Sequence, residues 1–208
     1  MAEQTLKEKT AKGLFWGGLS NGVQQVLNLV FGLMLARILD ASDYGMVGML
    51  AIFSAIASTI QESGFTAALT NQKEIRHEDY NAVFWFSTLT GVSFYLILFF
   101  CAPLIAQFYD KPELIGLSRI VFLSFLFGGF GIASNAYMFK TLMVKERAKI
   151  DIISLICSGT IGVLLALNGF AYYGLAIQTT AYIGIGSMLK FCYSPWTPTF
   201  LIDWRPLK

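Results

Sequence analysis

The longest stretch without charge constrains the fold more than any other feature of the sequence. Residues 152–189 carry no charged side chain. A membrane core about 30 Å thick is crossed by roughly 20 helical residues, so this stretch is too long for one span and too apolar for water. Glycines and tyrosines at residues 168–174 indicate a turn at the membrane surface. We therefore predict two helices here, over residues 152–167 and 175–193.

The rest of the chain repeats this pattern. Hydrophobic residues make up 55% of the sequence and charged residues only 13%, whereas soluble domains carry about 25% charged residues. Four further segments of spanning length lie at residues 14–38, 45–69, 82–108 and 114–139. The prediction is an all-α, multi-pass membrane protein in which residues 1–208 form a single bundle of six transmembrane helices.

Positive charge is divided unequally between the two ends of these spans. Most of the 15 Lys and Arg residues fall on the side of the N-terminus, and only Arg37, Lys111 and Arg119 fall on or near the opposite side. Because cytoplasmic loops carry the excess of Lys and Arg, both termini are predicted to be cytoplasmic. The first apolar segment is too long for a cleavable signal peptide, so we expect it to remain as a membrane anchor.

The first predicted helix carries four amide side chains. Asn21, Gln24, Gln25 and Asn28 are spaced i, i+3, i+4 and i+7, which places them on one helical face. The two glutamines lie about 15 Å along the helix from its start, close to the bilayer midplane. Amides facing acyl chains are costly. The face therefore either forms interhelical hydrogen bonds or lines a hydrophilic passage, and the sequence leaves both readings open.

Four charged residues lie within the predicted spans, namely Arg37, Glu62, Arg119 and Lys190. Arg37 and Arg119 are near the outer ends of their helices, where they can snorkel to headgroups or form an anion site facing outward. Glu62 is close to the cytoplasmic boundary and requires a partner. Asp151 and Lys190 are interpreted as markers of the cytoplasmic interface.

No pattern in the chain points to catalysis. The single histidine, His77, lies in a charged loop without an HExxH motif, and no phosphate-binding glycine motif occurs. The three cysteines lack metal-ligand spacing. The basic residues form short clusters between apolar runs, a distribution that does not suggest nucleic acid. We predict a protein that is not an enzyme, holds no cofactor or metal and binds no nucleic acid.

The turn between the first two predicted spans carries a specific pattern. Residues 35–45, LARILDASDYG, combine an Ala-Arg pair, a short acidic turn, and an aromatic residue followed by glycine. This element resembles the first outer loop of Wzx-type polysaccharide flippases, which belong to the MOP (multidrug/oligosaccharidyl-lipid/polysaccharide) exporter superfamily. Residues 7–16, 62–65 and 81–85 are similar to further elements of that family.

The resemblance implies a fold and a function. Such proteins consist of two six-helix lobes of the MATE-like kind, and they move undecaprenyl-diphosphate-linked oligosaccharide across the bacterial inner (cytoplasmic) membrane by alternating access. On this reading the four amides line the cavity between the lobes, and Arg37 and Arg119 attract the diphosphate. Glu62 belongs to the family's acidic element in the second helix.

The chain departs from that family by supplying only the N-terminal lobe. With the C-terminal lobe absent, we expect transport only when a second lobe or a second chain is present. The other expected partners are the lipid bilayer, the lipid-linked oligosaccharide, a polysaccharide polymerase and glycosyltransferases. Two alternatives stay open: half of a MATE-type cation-coupled drug antiporter, and a non-transporting membrane scaffold for polysaccharide-synthesis enzymes.

Overall fold

The structure, a computed structural model, describes the backbone of residues 2–62 and 77–199 and the side chains of residues 15–59 and 77–199. Within these residues the regular structure is entirely helical, which confirms the predicted all-α fold. The helices are α1 (Ala2–Ile38), α2 (Ala41–Glu62), α3 (His77–Phe108), α4 (Leu114–Lys140), α5 (Val144–Leu167) and α6 (Ala171–Tyr193).

Five of the helices are long and apolar enough to cross a membrane, namely α1 to α5. The prediction of a multi-pass membrane protein is therefore confirmed. Helix α6 has 23 residues, which include Gln178, Thr179, Thr180 and Lys190, and it is not among the five. The count of six spans stays a prediction.

Five of the six helices begin earlier than the predicted segments, whereas α4 begins at the predicted residue, Leu114. Helix α5 starts at Val144 rather than near residue 152, and α6 starts at Ala171 rather than near residue 175. The predicted segments were limited by charge or by turn residues, whereas the backbone hydrogen bonding of both helices continues through those residues. The end of the second predicted segment, residues 63–69, lies outside the described residues.

Short turns at residues 39–40, 109–113 and 168–170 join the helices at one end of the bundle, which we call the short-loop end. The opposite end, which contains the α4–α5 turn, is called the terminal end. The α5–α6 turn depends on Gly169, whose backbone has a φ of +84°, a left-handed conformation that side chains disfavour.

The packing order of the helices differs from their order in the chain. Helices α3, α4, α6, α5 and α1 pack as neighbours in a row, and α2 lies across α4 and α6. The core beneath α2 is formed by fully buried side chains that include Leu50, Leu114, Leu117, Phe122 and Ala176. Burial is uneven: 44% of the most apolar stretch of α4 and of α5 is buried, against 17% for α2 and 11% for α1.

Small residues and hydroxyl groups hold the central helices together. The Ser87 hydroxyl on α3 donates to the Gly129 carbonyl on α4 at 2.9 Å, and the Thr180 hydroxyl on α6 donates to the Ile120 carbonyl at 2.9 Å. Gly174 of α6 brings its backbone against α5, where an added Cβ would lie 3.0 Å from the Gly162 carbonyl oxygen. Close backbone approach of this kind drives helix association in lipid.

Candidate functional site: a polar cleft between the first and fifth helices

A polar cleft opens between α1 and α5 near the terminal end. Its volume is about 190 Å³, and it is lined by Gly17, Ser20, Asn21 and Gln24 of α1 and by Val144, Arg147, Ala148 and Asp151 of α5. Gly17 of α1 faces Val144 of α5, and an added Cβ would make an ordinary contact of 3.8 Å with Val144 Cγ1. The two helices are thus held together at their terminal ends while polar groups remain between them.

Three charged residues surround this cleft. Asp151 Oδ1 lies 3.4 Å from Lys190 Nζ of α6, and both side chains are partly exposed. The Arg147 guanidinium lies 5.5 Å from the ring centroid of Phe139, a cation–π contact. Arg147 Nε is buried and has no hydrogen-bond partner among the described residues.

The charge balance of the cleft favours an anion. The carboxylate of Asp151 is paired with Lys190, so the positive charge of Arg147 is left without a described counter-ion. A guanidinium presents a planar fork of donors that matches phosphate and carboxylate oxygens. Amides beside it can donate to and accept from hydroxyl groups. The cleft therefore has the chemistry to bind a phosphate and an attached sugar.

The structure places the four predicted amides along one edge of α1. Gln24 faces α5 and donates to Ser20 Oγ at 2.9 Å, and Asn21 lines the cleft beside it. Gln25 and Asn28 are exposed. The four residues cover an arc of about 100° on the helix. None of the four amides makes an interhelical hydrogen bond to a described residue. The described contacts therefore do not support the hypothesis that this face holds helices together by hydrogen bonds.

The two sides of α1 differ in character. Beside the amides, an added Cβ at Gly18, Gly22 or Gly32 would meet no atom of the described residues within 4 Å, so the described helices leave this polar and small-residue edge uncovered. On the other side Phe15, Leu19, Val26, Leu29, Val30 and Leu33 are exposed apolar side chains. The apolar side suits acyl chains, whereas the amide edge requires water or protein.

The other predicted site residues lie elsewhere. Arg37 is exposed in the last turn of α1, at the short-loop end. Arg119 lies on α4, where its guanidinium is 4.1 Å from the ring centroid of Phe99. The structure does not bring Arg119 together with the amides, because α1 packs chiefly against α5 and lies at the far end of the row from α3 and α4. The side chain of Glu62 lies outside the described residues.

Sequence reasoning missed Arg147 and assigned Asp151 and Lys190 only to the interface. Arg147 and Asp151 are spaced i, i+4 on α5, which places them on one face. This spacing was visible in the sequence, but its meaning depended on α5 beginning at Val144 and lying between α1 and α6.

No group of three metal-ligating side chains occurs among the described residues, and Cys101, Cys157 and Cys192 are free thiols.

A family model described as "Polysaccharide biosynthesis protein" matches residues 34–208 of the chain. The chain belongs to this family. The match begins one residue before the LARILDASDYG element, and the resemblance to Wzx-type proteins is confirmed. No solved structure matches the chain with significance.

Three similar proteins illustrate the range of the family. The lipopolysaccharide biosynthesis protein WzxC of Escherichia coli is 27% identical over 142 residues, which cover 68% of this chain and 28% of WzxC. The teichuronic acid biosynthesis protein TuaB of Bacillus subtilis is 24% identical over 209 residues, covering 98% of this chain and 43% of TuaB. The succinoglycan biosynthesis transport protein ExoT of Rhizobium meliloti is 27% identical over 202 residues, covering 96% of this chain and 40% of ExoT.

The chain spans less than half the length of these relatives. The part it matches is their N-terminal half. Family membership, the helical structure and the apolar spans together identify a membrane protein of this polysaccharide biosynthesis family.

Proposed function

We propose that this chain forms the N-terminal lobe of a non-enzymatic transporter that moves undecaprenyl-diphosphate-linked oligosaccharide across the bacterial inner membrane. The observation that supports this proposal most is the polar cleft beside the amide edge of α1. Four amides on one helical face and a cation without a described counter-ion are costly within an apolar bundle unless they meet water or a ligand.

The residues of the cleft suggest how the substrate is held. The Arg147 fork contacts a diphosphate oxygen, and the ion pair of Asp151 with Lys190 keeps the neighbouring carboxylate from repelling the anion. Asn21 and Gln24 exchange hydrogen bonds with the first sugar, so that its hydroxyl groups leave water without remaining unpaired. The lipid chain stays in the bilayer beside the apolar side of α1.

Transport requires a second lobe. Alternating access involves two bundles that rock around a shared site, and α1 and α2 are the two least buried of the spanning helices in the described structure. We place the second lobe, or a second chain, against these helices. On this arrangement the amide edge of α1 faces a water-filled cavity, to which Arg37 contributes at the short-loop end.

Cysteine labelling tests whether the amide edge is wet. In a chain whose three native cysteines are replaced by serine, Gln25→Cys is labelled by a membrane-impermeant maleimide, whereas Val26→Cys is not. The two positions are adjacent in sequence but about 100° apart on the helix, and Val26 is 63% exposed on the apolar side. Equal protection of both cysteines in cells would contradict a water-lined passage.

The substrate is tested by binding. Purified chain in detergent is titrated with undecaprenyl diphosphate and, as a control, with undecaprenol, which lacks the phosphates. Tighter binding of the diphosphate supports the proposal. Equal affinity for the two lipids would contradict the proposed diphosphate contact, even if the amide edge proves accessible to water.

A further inference from the structure

A second cavity lies between α4 and α6 and is almost entirely apolar. Its volume is about 730 Å³, and its walls include Ile120, Leu123 and Phe127 of α4 and Ile177, Ala181 and Met188 of α6. This apolar groove shares no residue with the polar cleft. It is therefore a separate feature of the bundle.

The groove opens on the side of the bundle opposite α2. On α4 four of the five residues in the core cluster beneath α2 (Leu114, Leu117, Val121 and Phe125) form one stripe, which at 100° per residue lies opposite Leu123 and Phe127; the fifth, Phe122, lies beside that stripe. On α6, Lys190 pairs with Asp151 on the face opposite Ile177 and Ala181. The groove thus faces away from both α2 and the polar cleft, toward the bilayer.

Aromatic rings close the groove toward the terminal end. The Phe84 ring lies 6.3 Å from the Phe130 ring and 6.2 Å from the Phe191 ring, measured between centroids. From Ile120 to Phe130 the groove extends about 15 Å along α4. This length equals about half of a 30 Å membrane core, so the groove accommodates a lipid chain from one leaflet.

Polar groups stand at the other end of the groove. Arg119 precedes Ile120 and lies one turn from Leu123 on the groove side of α4, toward the short-loop end. Its guanidinium rests on the Phe99 ring, its Nε has no hydrogen-bond partner, and no carboxylate forms an ion pair with it among the described residues. The Tyr173 hydroxyl lies against Gly116, one turn before Arg119 and Ile120.

We propose that this groove binds a phospholipid of the bilayer, with one acyl chain in the groove and the phosphate on Arg119. Arg119 is a cation without a described counter-ion, one residue before Ile120 of the groove wall, and this pairing matches a ligand with an anionic head and an apolar chain. The groove faces away from the cleft, and this favours a resident bilayer lipid over the transported substrate. The inference rests on the proposed placement of the second lobe against α1 and α2, which leaves this opposite side of the bundle to the bilayer.

Native mass spectrometry on the purified chain tests the phosphate contact. The probes are phosphatidylglycerol and a diacylglycerol with the same acyl chains but no phosphate. The unaltered chain should bind phosphatidylglycerol about tenfold more tightly than the diacylglycerol. The Arg119→Gln variant should bind the two lipids with equal affinity. Lys111→Gln, a charge removal in the exposed α3–α4 turn, should keep the preference, and Arg119→Lys should keep most of it. A preference that survives in Arg119→Gln overturns the assignment of Arg119.

A second variant tests the acyl-chain site. The Ala181→Trp side chain fills the groove and should weaken the binding of both lipids by the same factor. Leu164→Trp, on the exposed surface of α5, should change the binding of neither lipid. Unchanged binding to Ala181→Trp overturns the groove as the site. If undecaprenyl phosphate displaces phosphatidylglycerol at equimolar concentration, the occupant is a carrier lipid and the assignment to a bilayer phospholipid is wrong.

Discussion

Helices α1 and α4 are both long and apolar, but their polar groups differ in their hydrogen-bond partners. Among the interhelical bonds of α4, the carbonyl groups of Gly129 and Ile120 accept hydrogen bonds from α3 and α6. The Gln24 amide of α1 bonds only within its own helix, to Ser20, and the other three amides have no described hydrogen bond. The interhelical hydrogen bonds described for α4 thus join it to its neighbours, whereas none is described for the amides of α1.

This difference separates two uses of a polar residue in a membrane helix. A serine or threonine that bonds to a neighbouring backbone contributes to packing and says little about function. An amide edge that no helix of its own chain covers must meet water or another protein surface. Total hydrophobicity does not distinguish these cases, because both helices are apolar enough to span.

We expect the largest effect from a substitution at the close contact between α5 and α6. Gly174→Ala places a methyl group 3.0 Å from the Gly162 carbonyl oxygen and 3.2 Å from the Ala166 nitrogen, both backbone atoms that cannot move aside without separating α5 and α6. We expect a loss of about 2 kcal/mol in the free energy of unfolding. Thermal unfolding of the purified chain in detergent measures it.

Gly22→Ala is the matched control on α1. An added Cβ there meets no atom within 4 Å, and alanine favours a helix more than glycine does, so this variant should not lose stability. Equal losses in the two variants would show that the amide edge of α1 is packed as tightly as α6, and the contrast between α1 and the central helices would then be wrong.

The next effect concerns the cleft. Arg147→Gln removes the cation without a described counter-ion, and we expect undecaprenyl diphosphate to bind the purified chain about tenfold more weakly, because a hydrogen bond to a charged group contributes about 1.5 kcal/mol. Lys149→Gln removes the same charge from an exposed position of α5 that does not line the cleft. A similar loss in both variants would mean that the ligand responds to overall charge rather than to this site.

Much of the fold could be predicted from the sequence because each span is specified locally. The uncharged stretch from residue 152 to 189 required two helices, and the spacing of Asn21, Gln24, Gln25 and Asn28 placed them on one edge. The cleft could not be predicted, since it requires α5 to lie between α1 and α6. Pairings of helices distant in sequence depend on packing surfaces, and a hydropathy pattern does not record which surfaces meet.

The smallest effect tests whether the cleft contains water. Asp151→Asn removes the ion pair with Lys190, whose partners are 23% and 19% exposed. A hydrated pair contributes at most about 1 kcal/mol to stability and is screened by salt. We therefore expect a loss of about 0.5–1 kcal/mol that shrinks in high salt, measured by unfolding in detergent.

Asp110→Asn is the control for this variant. Asp110 is exposed in the α3–α4 turn at a φ of +52°, a conformation that asparagine also adopts, and it should show no loss. A dry ion pair behaves differently, because breaking it leaves an uncompensated buried charge and costs about 3–5 kcal/mol. A loss of that size for Asp151→Asn would place the pair in a sealed interior, and a cleft sealed in this way could not admit a sugar.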